Sequence, residues 1–100
     1  MIIYMCTCTY NMKSYIGQTK YSLEKRFKHH IYEANYNRNH NKFMRALRKY
    51  DSKCWDCKIL EKVSDINLLN EREVYWIAYY NTFNNGYNSI SGGGQKYYIL

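Results

Sequence analysis

Proline is absent from this chain of 100 residues, cysteine occurs four times, and Asp and Glu number 8 against 15 Lys and Arg. No internal repeat and no linker-like stretch divides the sequence, so one small core must hold whatever function it has. That excludes multidomain machinery. Four cysteines fall well below the density of a disulfide-stapled secreted scaffold, and reduced thiols are the expected state. No run approaches the roughly 18 apolar residues of a membrane span, and the opening Met-Ile-Ile-Tyr-Met lacks a basic region ahead of a long apolar one. A soluble, intracellular protein without membrane contact is expected.

What is present is positive charge and aromatic rings. A formal charge of +7 and a pI near 9.2 favour polyanionic partners such as nucleic acid. Thirteen Tyr suit contact with sugars, bases and phosphates, although AT-rich coding also enriches Tyr, Asn, Lys and Ile together.

The segment from Ile2 to Thr9 is β-branched, aromatic and sulfur-containing, and Ser14 to Thr19 repeats that character after the polar break Asn11-Met12-Lys13. A hairpin with an even turn centred on Asn11-Met12 pairs residues whose numbers sum to about 23. Tyr15 then stands opposite Cys8 and Gly17 opposite Cys6, with Tyr4 and Tyr15 on one face and Ile3, Met5 and Ile16 on the other. Ser22 is a good N-cap for a helix whose apolar stripe is Leu23, Phe27, Ile31 and Ala34. Arg26 and His30 are i, i+4 neighbours on one flank of that stripe. A polar connector from Ala34 to Asn41 leads to a short basic helix carrying Phe43, Met44 and Leu47. Cys54 to Val63 reads as a third strand with Trp55, Cys57 and Ile59 on one side, blurred at Ile59-Leu60.

The longest helical pattern runs from Ile66 to Tyr80, capped by Ser64 or Asp65, with Leu69, Trp76, Ile77 and Tyr80 as its apolar stripe. Asn84-Asn85-Gly86 reads as a turn, Tyr87-Asn88 follows, and Ser91-Gly92-Gly93-Gly94 opens a tail. The order β-β-α-α-β-α predicts an α+β domain over residues 1–90, a small three-stranded antiparallel sheet flanked by helices, with residues 91–100 as a Gly-rich C-terminal tail. Glu73 lies about 40° from Leu69 on the helical wheel, inside the apolar stripe. A carboxylate there costs several kcal/mol unless it is protonated, paired or bound to a cation. An ion pair with Arg26 or Arg72, a wet edge of the stripe, or a bound cation would each account for it.

Several of these residues fit one template in order: Ile2-Ile3-Tyr4, Tyr15-Ile16-Gly17-Gln18-Thr19, Arg26 with His30, Glu73 before Trp76-Ile77, and Gly86-Tyr87-Asn88. Together they resemble the GIY-YIG endonuclease superfamily over almost the whole chain. The resemblance implies a DNA endonuclease in which Tyr4, Tyr15, Arg26 and Glu73 meet at one cleft, with His30 beside them and Asn88 supporting the site. A single Mg²⁺ (or Mn²⁺) would anchor on Glu73, because this cation takes few protein ligands and keeps several waters. Arg26 suits the non-bridging oxygens of the attacked phosphate. Tyr4 is the favoured base, if nearby cations acidify it or it acts through a water held with His30, and Tyr15 would orient water or phosphate. The product by resemblance carries a 5′ phosphate.

Gly17, Gln18, His40, Lys42 and Arg45 complete the expected substrate-binding set, Gly17 by letting the DNA backbone approach the sheet. Recognition of the target would come from a homodimer, a separate DNA-recognition partner or DNA shape. The first motif departs from the family in one place, with Ile2 where Gly is expected. A nucleic-acid-binding module that has kept the fold without catalysis is the alternative. Cys6-x-Cys8 and Cys54-x-x-Cys57 also offer four thiolates for a structural zinc. In two strands, however, Cys54 and Cys57 point to opposite faces, so ordinary reduced thiols are expected.

Overall fold

The computed structural model describes residues 1–36 and 41–90. Their order is β1 (Ile2–Cys8), β2 (Ser14–Thr19), α1 (Leu23–Tyr36), α2 (Lys42–Lys49), β3 (Trp55–Lys62), α3 (Ile66–Tyr80) and the one-turn α4 (Thr82–Asn85), where only a turn is predicted. The three strands are antiparallel in the order β2-β1-β3, as the α+β reading predicts. His40 and the Gly-rich stretch 91–100 lie outside the described residues. Among the described residues no helix is long and apolar enough to cross a membrane.

β1 is the middle strand with helices on both faces, which is why its apolar residues run on with little alternation. Tyr4, Cys6 and Cys8 pack with Phe43, Met44, Ala46, Leu47 and Trp55 on the α1/α2 side. Ile3, Met5 and Ile16 pack with Val63, Leu69 and Ile77 on the α3 side. The expected division of faces is therefore present, but the hairpin register is not the expected one. Tyr15 stands opposite Cys6, and Gly17 opposite Tyr4. The turn is centred one residue earlier: Cys8 N–H donates to Lys13 O at 2.9 Å and Met12 takes a left-handed φ of 61°. Tyr10 thus belongs to the loop, and because the slip is an even number of residues every side chain keeps its face.

The blurred alternation of β3 has a physical cause. Tyr4 pairs with Ile59 while Ile3 pairs with Glu61, so Leu60 is the extra residue of a β-bulge. Beyond it Glu61 faces α3 rather than the side of Trp55 and Cys57. Ile59, opposite Tyr4, keeps the predicted side of Trp55 and Cys57 but is 44% exposed.

Ser22 caps α1 as expected, its Oγ accepting from Lys25 N–H at 3.1 Å. Of the predicted stripe only Ala34 is fully buried, joined by His30. Leu23 and Phe27 are half-buried because they border an open apolar hollow with Trp55 and Cys57. Asp65 is the cap of α3, accepting from Asn67 N–H at 2.9 Å. Its inward row is Leu69, Glu73 and Ile77. Trp76 is half-buried and Tyr80 turns out to solvent, so the apolar row is narrower than predicted, and Glu73 sits inside it as predicted.

Candidate active site

β2 is an edge strand, so the outward backbone groups of Ile16 have no strand to pair with. Asn88 supplies the missing partner. Its Oδ1 accepts from Ile16 N–H and its Nδ2 donates to Ile16 O, both at 2.9 Å. Asn88 is held in turn by its N–H to Thr82 O at 3.1 Å, and its neighbour Tyr87 by its N–H to Ser14 O at 2.8 Å. With both ends of its amide committed to the strand, Asn88 positions Tyr15 and Gly17 on either side of Ile16.

On the α1/α2 face, Tyr4 is fully buried and its hydroxyl meets Nε2 of His30 at 2.5 Å. Gly17 makes room for that phenol. A Cβ at Gly17 would stand 2.5 Å from the Tyr4 hydroxyl and 2.9 Å from the Tyr15 ring, so the tyrosine packing itself requires a glycine here. Tyr15 stacks on Phe43 with ring centres 4.1 Å apart and meets His30 edge-on at 5.5 Å. Arg26 shares a hydrogen bond with the Tyr4 phenol. Its other flank lies 3.8 Å from Glu33.

The electrostatics of this cluster follow from its dryness. Burial holds the Tyr4 phenol well above its ordinary pKa, Tyr15 adds to the effect, and Arg26 only partly opposes it. Arg26 by itself does not supply the acidification that a Tyr4 base would need, because desolvation outweighs one guanidinium. His30 is pushed down to about 3, first by burial and then by Arg26 and His29. It is neutral at pH 7, and its Nδ1 makes no hydrogen bond among the described residues.

Glu73 reaches the site from the opposite face of the sheet. It is 2% exposed, between Leu69 and Ile77 on α3. Arg72 is committed elsewhere: its Nε donates to Glu61 Oε1 at 2.7 Å, and Trp76 Nε1 donates to the same oxygen at 2.9 Å. These two bonds, Trp76 first, hold Glu61 below the usual carboxylate range. The bulge in β3 makes the arrangement possible by turning Glu61 toward α3.

A cleft of about 210 Å³ opens over Glu73 and is lined also by Tyr15, Asn41, Ile77, Tyr87 and Asn88. It wraps the free edge of β2, so Tyr15 from one face and Glu73 from the other border the same space. Tyr4, Arg26 and His30 do not line it. They form the cluster behind Tyr15. Gln18 is a correction: it is 2% exposed on the Ile3 face and donates from Nε2 to Asn70 Oδ1 at 2.7 Å, which removes it from any substrate surface. Lys42 and Arg45 line a neighbouring groove, where Lys42 Nζ also donates to Phe83 O at 2.9 Å. Among the described residues no three His, Cys, Asp or Glu side chains gather in a group that could hold a metal.

Tyr87 stands within the last sequence motif, but neither it nor Phe43 nor Asn41 has a site role in the sequence reading. Phe43 is the stacking partner of Tyr15, Tyr87 walls the cleft, and Asn41 lines it while capping α2 through its Oδ1, which accepts from Met44 N–H at 2.8 Å. An Asn ahead of Lys42-Phe43-Met44 carries a cap signal that could have been found.

The match to the GIY-YIG catalytic domain spans residues 1–88. The chain belongs to the GIY-YIG family. It is 35% identical over 88 residues to intron-associated endonuclease 1 of Enterobacteria phage T4, an alignment covering 86% of this chain and 35% of the phage protein, so the chain spans about a third of that relative's length. Two solved structures of the catalytic domain of the homing endonuclease I-TevI are similar to it, each at 33% identity. One, of a single-substitution mutant, has a TM-score of 0.79 and covers 89% of this chain and 92% of that domain. The other has a TM-score of 0.75 and covers 88% and 96%. Within this GIY-YIG chain, Ile2 in place of the motif glycine is a regular strand residue opposite Thr19 and packs with the Tyr4 cluster, so the departure is absorbed by the core.

Proposed function

We propose that this chain is a divalent-cation-dependent DNA endonuclease whose catalytic domain spans residues 1–90, with 91–100 as a tail. One observation carries the reading: a buried carboxylate on α3 and a phenol on β2 border one cleft from opposite faces of the sheet. Glu73 would hold the cation. One carboxylate beside amide and hydroxyl groups, in a cleft large enough for waters and a phosphate, suits a hard cation such as Mg²⁺ or Mn²⁺ that keeps most of its hydration. When bound, the cation would supply Lewis-acid stabilisation of the phosphoryl and leaving oxygens.

The chain's own groups divide the remaining work. Tyr15, half-buried at the cleft, orients the attacking water. Arg26, in the cluster behind Tyr15, would offer its permanently charged, forked donor set to the non-bridging oxygens of a phosphate that reaches past Tyr15. Tyr4 and His30 act one step back, since a sealed phenol with a raised pKa and a neutral imidazole are poor proton acceptors from bulk water but good anchors for Arg26 and Tyr15. Asn88 sets the β2 edge, Gly17 admits the Tyr4 phenol, and target recognition rests on a second copy or a separate DNA-recognition partner.

Supercoiled plasmid is the direct substrate. Nicking that requires Mg²⁺ or Mn²⁺, stops with chelator and leaves a 5′ phosphate on end-labelling is the expected result. Retarded DNA without any nicking across both metals would instead establish a binding module that has kept the fold.

A further inference from the structure

Beside the cleft runs a second groove of about 330 Å³ between the β1–β2 turn, α2 and Gly86-Tyr87. Four cations line it: Lys13 from the turn, and Lys42, Arg45 and Lys49 from α2. None of the chain's eight Asp and Glu does. Three cations elsewhere have carboxylate partners. Arg72 is bonded to Glu61, Lys28 lies 3.9 Å from Glu24, and Arg26 lies 3.8 Å from Glu33. Among the described residues no carboxylate comes within ion-pair distance of any of the four groove cations.

Like charges crowded around one hollow repel one another and cost folding free energy unless a polyanion occupies it. The two hollows are neighbours that share Tyr87 as a wall. The Tyr87 ring borders both, its hydroxyl accepting from Asn11 Nδ2 at 2.7 Å, and the consecutive residues Asn41 and Lys42 open α2 with one side chain toward each hollow. Arg48, although also on α2, donates to Ala34 O at 3.1 Å and does not line the groove.

We infer that the groove formed by Lys13, Lys42, Arg45 and Lys49 is a binding track for the phosphates of duplex DNA flanking the bond held at Glu73, so that the duplex leaves the cleft across Tyr87 and along α2. The track deepens the nuclease reading and rests on it for the identity of the bond being cut, but binding can be measured with no cutting at all. Lys42 is set aside in the test, because its bond to Phe83 gives it a second role within the fold.

The experiment is fluorescence anisotropy of a labelled duplex in the presence of chelator, over a range of salt. It compares the wild-type chain with the triple variant Lys13→Gln, Arg45→Gln, Lys49→Gln and with a charge-matched control, Lys25→Gln, Lys58→Gln, Lys62→Gln. Thermal unfolding verifies that each variant folds. The groove variant is expected to bind about tenfold or more weakly at moderate salt, and its slope of log K against log salt should be shallower by about 0.9 for each phosphate contact removed. The control keeps the wild-type slope. An unchanged slope in the groove variant, or equal losses in both triples, overturns the track. Plasmid nicking by the same wild-type preparation decides the nuclease reading separately: a track without nicking leaves a DNA binder, and nicking with no track leaves the enzyme without this path for its duplex.

Discussion

The two faces of the sheet solve the problem of buried polarity in opposite ways. On the α1/α2 side, Tyr4 and His30 are interlocked by a hydrogen bond and ring contacts and kept from water, so each is poor at exchanging protons, and Arg26 stands half-buried beside them. On the α3 side the core is largely aliphatic, and besides the Gln18–Asn70 pair it holds Glu73, whose carboxylate lies between Leu69 and Ile77 yet borders a cleft. One face therefore carries the rigid scaffold and the other the single reactive acid, and they meet only where β2 has a free edge. Chemistry is placed at an edge because that is where groups from both faces can reach one phosphate.

The sharpest way to break this comparison is Glu73→Gln. If the α3 face contributes only that acid, nicking falls by about 10³-fold or more while DNA retardation persists, since removal of a single transition-state stabiliser commonly costs 10² to 10³. Retained cleavage would move the reaction off this face.

The dryness of the other face is checked by pH. Folded His30 titrates near 3 and an unfolded histidine near 6.5, so between those values unfolding takes up a proton and stability falls as the pH is lowered. Denaturant melts from pH 7 to pH 4 should lose a few kcal/mol in the wild-type chain, and His30→Gln should flatten that dependence. An unaltered slope would mean that His30 is reached by water.

Asn88→Ala leaves both outward groups of Ile16 unpaired and is expected to cost about 2 kcal/mol, with cleavage lost in proportion to the loosened Tyr15. Asn88→Asp can restore the bond from Ile16 N–H but not the one to its carbonyl, and should recover less than half of that stability.

The smallest expected effect separates the two tyrosines. Tyr15→Phe should lower kcat by about 10² and Tyr4→Phe by about tenfold, because a group at the cleft contributes directly and its sealed neighbour through Arg26. The reverse order would return the base to Tyr4.

Most of the architecture was legible in local pattern. The β-branched and aromatic runs, the caps at Ser22 and Asp65 and the ordered motif residues mark the three strands, the helices and the family. The errors fell where a choice was settled by contacts distant in the chain. Gln18 stands in a motif segment and reads as substrate-facing, but it lies on the Ile3 face, where Asn70 is its partner. The hairpin register depended on whether Met12 or Tyr10 entered the turn, and both options preserve the same alternation. The packing role of Gly17 is invisible in the sequence because only the packed sheet brings the Tyr4 phenol over it.

By itself the sequence determined which residue types could do the chemistry and which face of each strand and helix they occupy, because periodicity and capping are properties of neighbouring residues. Tertiary structure alone decided three further matters. It assigned Arg72 to Glu61 through a bulge at Leu60, leaving Glu73 to the cleft. It sealed Tyr4 so that burial, not the nearby guanidinium, governs its proton. It also joined the two faces around the β2 edge through Asn88, a residue 72 positions away from Ile16. Each depends on groups far apart in the chain, and their free energies are set by burial and distance, which no local pattern encodes.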